Sequence, residues 1–274
     1  MPFDLTAPVV ANTPLGRDYN VVALAAPEIA RQALPGQFVL VKTAPGVDPL
    51  LRRPFSVFEI LRDEAGRPMG ISLLNKAIGA GTRLLFHLRP GDRIGCLGPL
   101  GRPFEPVDPP AEAWMIAGGV GLAPFAALAD SLREHGTRAR LFYGGRTSAD
   151  LIRLELFERG GIETSLATED GSRGTRGFVT LALERALDST PHERDVALYA
   201  CGPTPMMQAV AQLAGRHRRA CHVSVEPVMG CGLGGCYSCV VPMRRNGRSH
   251  YVRSCLEGPV FDAASIVWEE LGTH

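Results

Sequence analysis

Four cysteines near the C-terminus, Cys231, Cys236, Cys239 and Cys255, follow the pattern C-x4-C-x2-C-x15-C. Three thiolates in one tight loop and a fourth returning later is the plant-type spacing for a [2Fe–2S] cluster, a carrier of single electrons. Metal binding keeps such thiolates ionised without a separate base. Gly230, Gly232, Gly234 and Gly235 let the loop curl and leave backbone N–H groups free to point at sulfur. The alternative is a zinc site built from the same cysteines. Zinc sites usually show paired C-x2-C knuckles, and only one half has that form here.

Two further groups of residues suit nucleotide cofactors. Arg52-Arg53-Pro54-Phe55-Ser56 precedes Leu74-Asn75-Lys76 and Gly79-Ala80-Gly81-Thr82. Taken singly, the first is a strand start with an exposed arginine and the last a plain helix entrance with Thr82 near its cap. Together they form a flavin site, in which an arginine offers a fixed positive fork to phosphate and a glycine-rich helix start offers N–H groups to a pyrophosphate. The second group is Gly118-Gly119-Val120-Gly121, directly after an apolar strand, with Cys201-Gly202-Pro203 at the end of a later strand. Glycines where a strand turns into a helix suit a dinucleotide, and ligands of open α/β sheets bind along that edge. The motif is not GxGxxG, so a tight βα turn is the plainer reading; Cys201 is either a core thiol or lies near a nicotinamide ring.

The elements that must position these residues fall into three textures. Residues 1–106 carry short strands at 21–24, 37–41, 55–60, 70–74 and 92–98, with turns at Pro35-Gly36, Pro45-Gly46 and Pro90-Gly91. This predicts an antiparallel β-barrel. Residues 107–220 open on a proline-rich linker (104–113) and then alternate strand and helix, which predicts a parallel α/β sheet. The first helix has Leu122, Phe125, Ala126, Ala129 and Leu132 on one face and Gly136 as its C-terminal stop. A helix over 151–161 follows, and the last one, 204–217, has Thr204 as N-cap and Pro205 as first residue. Residues 221–274 form a small C-terminal [2Fe–2S] subdomain, too short for much core of its own.

The composition permits this division. At 274 residues the chain is long enough for two domains or a little more. A net charge of +1 with no basic patch argues against nucleic acid. No apolar run approaches the roughly 20 residues of a membrane span, and no basic start leads into an apolar signal core, so a cytoplasmic location is expected. In a reducing cytoplasm the seven cysteines are metal ligands and free thiols, with Cys96 and Cys221 ordinary buried thiols.

The order of these motifs resembles the ferredoxin reductase superfamily, and within it the electron transfer subunits of dihydroorotate dehydrogenase B. The resemblance covers essentially the whole chain: RRPxS at 52–56, GxGT at 79–82, GGxGxAP at 118–124, a TxDGSxGxxGFVT-like stretch at 168–180, CGPxxMM at 201–207, CGxGxCxxC at 231–239 and the closing CLEGPVF at 255–261. It implies FAD contacts from Arg53, Pro54, Phe55, Ser56, Leu74, Asn75, Lys76, Gly81 and Thr82. NAD would be held on the Gly118, Gly119 and Gly121 side with Cys201, Gly202 and Pro203, and a cluster on the four cysteines. It also implies an FMN-containing catalytic partner in a heterotetramer, which oxidises dihydroorotate in pyrimidine (UMP) biosynthesis. No residue of this chain is an evident base for dihydroorotate, as suits an accessory subunit.

The chain departs from the family at Phe55 (often Ile), at Asn75 and Ala77 (often Tyr and Val), and at GPLGRPF in place of GPLGNGF. Arg146 either meets a 2′-phosphate or is a solvated surface arginine, and the second reading is favoured. The alternatives are a reductase subunit of a hydrogenase or bifurcating NAD(P)H:ferredoxin complex, and a zinc-stabilised, non-enzymatic binding module.

Overall fold

Apolar runs broken by glycine and proline become the first sheet. Its strands are β1 (Phe3–Pro14), β2 (Tyr19–Ala25), β3 (Phe38–Lys42), β4 (Arg53–Ser56), β5 (Glu59–Arg62), β6 (Pro68–Lys76) and β7 (Arg93–Leu100), with short helices α1 (Pro27–Ala30) and α2 (Ala80–Phe86). The computed structural model describes residues 1–44, 46 and 48–272; Pro45 of the expected Pro45-Gly46 turn lies outside the described residues. The strand order β4-β3-β7-β1-β2-β6-β5 is antiparallel throughout and curls as a half-barrel. β1 has no counterpart among the expected strands, because Pro8 breaks its pattern. The proline is tolerated because β1 changes partner there: residues 3–8 pair with β7 and residues 9–14 with β2.

The second half carries β8 (Glu112–Gly118), α3 (Phe125–Glu134), β9 (Ala139–Gly145), α4 (Leu154–Arg159), β10 (Glu163–Thr168), β11 (Thr175–Arg176), α5 (Val179–Asp188), β12 (Val196–Cys201) and α6 (Thr204–His217). β8 to β12 are parallel, as the strand–helix alternation requires. Gly136 takes a φ of +70° just past α3, where a left-handed residue ends a helix. The helix expected over 151–161 is shorter, since Arg153 sits at a left-handed φ of 57° before α4. Thr204 is not a capping residue: it is the first residue of α6, Pro203 occupies the cap, and no side chain bonds the open N–H groups.

The tail contributes β13 (Cys221–Ser224), a hairpin of β14 (Val240–Arg245) and β15 (Arg248–Arg253), the short α7 (Ser254–Glu257) and β16 (Val260–Asp262). β13 extends the α/β sheet in parallel beside β12, and β16 closes its edge antiparallel. A tail without its own core thus gains backbone partners and apolar cover from its neighbour. Among the described residues no helix is long and apolar enough to cross a membrane.

α5, α6 and the hairpin cover one face of the α/β sheet, burying Trp114, Ile116, Phe142, Leu198 and Val223. α3 lies on the other face, whose core continues into the half-barrel through Tyr19, Val21, Phe58 and Leu74. The two sheets therefore share one apolar core. Phe104, at the start of the expected linker, is its hinge pin: fully buried, stacked on Phe125 at 5.8 Å and edge-on to Tyr199 at 5.5 Å. Phe104→Ala is expected to destabilise the fold by about 3–5 kcal/mol, as measured by denaturant unfolding.

Candidate cofactor-binding site

β4 and the first turn of α2 come together although their motifs lie far apart in sequence. A side chain added at Gly81 would lie 3.3 Å from Thr43 Oγ1 and 3.6 Å from Arg53 Nε, so the glycine admits both groups to the helix start. The neighbouring arginines differ. Arg52 is paired with Asp4 at 2.8 Å. Arg53 donates to Leu51 O at 2.8 Å and, among the described residues, meets no carboxylate within ion-pair distance. Thr43 Oγ1 is buried without a partner, and nothing occupies the space over Gly79. An unneutralised guanidinium, an orphaned hydroxyl and open helix N–H groups are the donor set a phosphate of FAD needs, so the residues fit that group. The Thr82 hydroxyl is already engaged, accepting from Ile78 N at 3.0 Å and Gly79 N at 2.9 Å. Thr43 escaped sequence reading because nothing in its neighbourhood marks it.

Of Leu74, Asn75 and Lys76, none offers a free side chain. Leu74 is buried in the shared core. Asn75 is fully buried; its Nδ2 donates to Asn20 Oδ1 at 2.7 Å and Thr82 O at 2.9 Å. Asn20 in turn donates to Asn12, whose Nδ2 reaches Leu88 O at 2.8 Å. The chain of amides fastens α2 to the half-barrel. Lys76 Nζ lies 3.0 Å from Asp150 Oδ1 and 2.7 Å from Tyr19 Oη. Phe55 packs on the barrel core, and Pro54 and Ser56 are half-buried on β4.

The glycine turn and the Cys201 strand end also meet. β8 and β12 are adjacent and in register, Ala117 opposite Cys201, so both motifs lie at the C-terminal edge of the sheet. Gly119 has a φ of +54° and Gly121 is packed so closely that a side chain there would strike the carbonyl of Cys201. A side chain at Gly118 would come within 2.8 Å of Pro203 Cδ. The bare edge this leaves fits a dinucleotide. Cys201 does not present its thiol to that edge. The residue is fully buried; burial, with Glu226 nearby, pushes its thiol well above the usual value, against a hydrogen bond with Ser224. Arg146 is solvent-exposed at the next strand end.

The cysteine loop sits on the half-barrel. Met229, Cys239 and Cys255 pack with Phe38, Leu40, Leu97 and Leu100, and a side chain at Gly232 would strike Leu40. Gly232, Gly234 and Tyr237 all take positive φ, which produces the curl. The sulfurs fall into two pairs, Cys231 with Cys236 and Cys239 with Cys255. Backbone N–H groups of Cys231 and Leu233 approach Cys236 and Cys231 sulfurs at 3.4 Å each. Hydrogen bonding from Ser238 draws the exposed Cys236 thiol down to about 6, whereas burial, with Cys239 beside it, pushes Cys255 up to about 12. Among the described residues no three donors converge on a single point, as a tetrahedral zinc ion requires. Two pairs suit two irons, so the set fits a [2Fe–2S] cluster.

Residues 226–267 match the iron–sulfur cluster binding domain of dihydroorotate dehydrogenase B, and residues 115–212 match an oxidoreductase NAD-binding domain. The chain is 37% identical over 245 residues to the dihydroorotate dehydrogenase B (NAD+) electron transfer subunit of Desulforamulus reducens, covering 89% of this chain and 90% of that protein. It is 40% identical over 236 residues to the subunit of the same name from Geobacillus kaustophilus, covering 85% and 86%. Among solved structures it is similar to an NADH-dependent reduced ferredoxin-NADP oxidoreductase studied for flavin-based electron bifurcation. That match has a TM-score of 0.83 and 28% identity, over 97% of this chain and 91% of that one. It is also similar to the ferredoxin reductase of a carbazole 1,9a-dioxygenase, with a TM-score of 0.63 and 27% identity, over 78% and 66%.

Proposed function

The chain belongs to the family of dihydroorotate dehydrogenase B (NAD+) electron transfer subunits, and from that membership we propose that it conveys electrons from dihydroorotate, oxidised in an FMN-containing partner, to NAD+ in pyrimidine biosynthesis. The observation that carries this reading is the seat of the cysteine loop. Cys239 and Cys255 are buried against Phe38 and Leu40 of β3, and those two residues pair with Ser56 and Pro54 of β4. Cys231 is half-buried and Cys236 exposed on the outer side. One cysteine pair thus faces the flavin strand and the other faces outward.

When bound, the cluster supplies one-electron transfer and FAD the exchange between single electrons and a hydride. The protein's own part is to bind, orient and seal. Arg53, Thr43 and the start of α2 hold the FAD phosphates. The Gly118–Gly121 turn and the Gly202-Pro203 strand end hold NAD+, with the Cys201 thiol as packing beneath. The four cysteines hold the cluster. We assign FAD to residues 1–106, NAD to 107–220 and the cluster to 221–274, with β13 and β16 tying the last to the second. The need to keep four thiolates reduced supports a cytoplasmic location.

The partner docks on the cluster end. Leu233, Tyr237 and Leu256 are 56%, 63% and 43% exposed around the loop, and Arg244, Arg245 and Arg248 crown the adjacent hairpin. Tyr237 is held rigid, with Arg253 4.7 Å over its ring and donating to Gly234 O at 2.8 Å. An apolar patch with a basic border suits a partner face with an apolar centre and acidic rim. Tyr237→Asp is expected to weaken assembly with the FMN subunit at least about 30-fold, as measured by titration, with iron content unchanged.

The test of function is anaerobic co-purification with the FMN subunit, followed by dihydroorotate and NAD+. NADH formation that requires this chain is the expected result. A complex that passes dihydroorotate electrons to a dye yet never to NAD+ contradicts it. The 0.83 TM-score fit to the ferredoxin-linked reductase favours a second reading, a subunit of a bifurcating NAD(P)H:ferredoxin complex. The relatives at 36–40% identity outweigh it, and reduction of ferredoxin by NADH would revive it.

A further inference from the structure

Resting on the assignment of NAD+ to the Gly119–Leu122 turn, we propose that Lys76, Tyr19 and Asp150 form a latch between the half-barrel and the α/β sheet that positions that turn relative to the flavin site. Tyr19 on β2 and Lys76 at the end of β6 belong to the first sheet; Asp150 follows β9 of the second. Tyr19 Oη donates to Asp150 Oδ1 at 2.8 Å. Lys76 Nζ donates to both, at 2.7 and 3.0 Å, and lies 4.5 Å from the Tyr19 ring centre. Three polar groups thus close on one another at a boundary that is otherwise apolar.

The latch touches the turn from two sides. A side chain at Gly119 would lie 3.8 Å from Tyr19 Oη, so the hydroxyl sits directly under the first residue of the turn. Tyr143 Oη lies 3.0 Å from Gly119 O and 2.8 Å from Asp150 O, bridging the two backbones. The other end reaches the flavin side, because Asn75, next to Lys76, donates to Thr82 O in the first turn of α2. An unbroken line of hydrogen bonds therefore joins the two glycine turns. Two flexible backbone segments acquire a fixed separation, which hydride transfer demands. Burial alone would raise the Asp150 carboxyl, but the bonds from Lys76 and Tyr19 outweigh it and hold it below the ordinary value, so the pair is ionic. With its charge matched by Asp150, Lys76 is a positioning residue and not an FAD phosphate ligand.

The experiment uses the holoprotein and its Tyr19→Phe, Asp150→Asn, Lys76→Met and Lys76→Met/Asp150→Asn variants. Tyr19→Phe keeps the ring and so the core. FAD and iron contents equal to the parent are expected in all four. Amide hydrogen exchange should quicken at residues 120–122 while the half-barrel amides stay as they were. NAD+ should bind more weakly, and flavin reduction by NADH should slow about tenfold, since a small misplacement of reacting groups is costly. The double variant should be no worse than Asp150→Asn, because an unpaired charge is removed with its partner. Unchanged exchange and NAD+ affinity in Tyr19→Phe and Asp150→Asn would overturn the latch, as would loss of FAD from Lys76→Met. If the parent itself neither binds NAD+ nor is reduced by NADH, the parent assignment fails, and the latch as a positioner of NAD+ falls with it.

Discussion

Cys239→Ser leaves a protein that keeps FAD, loses its iron, and reduces NAD+ from dihydroorotate more than about 100-fold more slowly when combined with the FMN subunit; even partners behind a ligand are worth 10- to 100-fold. Three features of the site make the effect this large. Cys239 is 2% exposed and packed among Leu40, Leu100 and Cys255, so water cannot replace the lost sulfur. Serine stays protonated where the thiol ionises on metal. The pairing of Cys239 with Cys255 means one substitution removes half the ligands of one iron. NADH-driven reduction of a dye, which needs only the flavin and the glycine turn, should hold within about twofold of the parent. Equal loss of both activities would place the cluster outside the path.

Arg53→Ala should weaken FAD binding about 10- to 100-fold, the range for a charge-assisted hydrogen bond lost from a phosphate, while Arg52→Ala leaves it close to the parent. Adjacent in sequence, the two arginines differ in what they face. The Arg52 charge is met by Asp4 at 2.8 Å. Arg53 lies against Gly81 in the first turn of α2 with no carboxylate beside it among the described residues. Equilibrium dialysis of each apoprotein against FAD separates them. Comparable losses from both would make the effect one of general positive charge and remove Arg53 from the cradle.

Features confined to a few consecutive residues were legible in the sequence. The cysteine spacing, the Arg53–Ser56 strand and the Gly118–Gly121 turn each carry their chemistry locally, and strand–helix alternation suffices for a parallel sheet. What depends on register or distance was not legible. Tyr19 and Asp150 are 131 residues apart and Lys76 lies 57 from Tyr19, so no window of sequence holds the latch. Pro8 hides β1 because only pairing shows that the strand changes partner there. Thr204 has the composition of a cap, yet the helix starts one residue earlier than the side chain needs. Asn75 and Cys201 sit inside motifs that suit cofactors, and only burial shows that their side chains are turned into the protein. The tail reads as separate because its two sheet strands are short, and their pairing with β12 and with each other appears only in three dimensions.

The most direct test of the electron path is the visible spectrum of the anaerobically purified chain, with its metal content, before and after NADH. The account predicts flavin bands over broad iron–sulfur absorption, about two irons per chain, and bleaching of both features by NADH. A colourless protein containing zinc, or flavin bands that bleach while the iron–sulfur absorption persists, would contradict it.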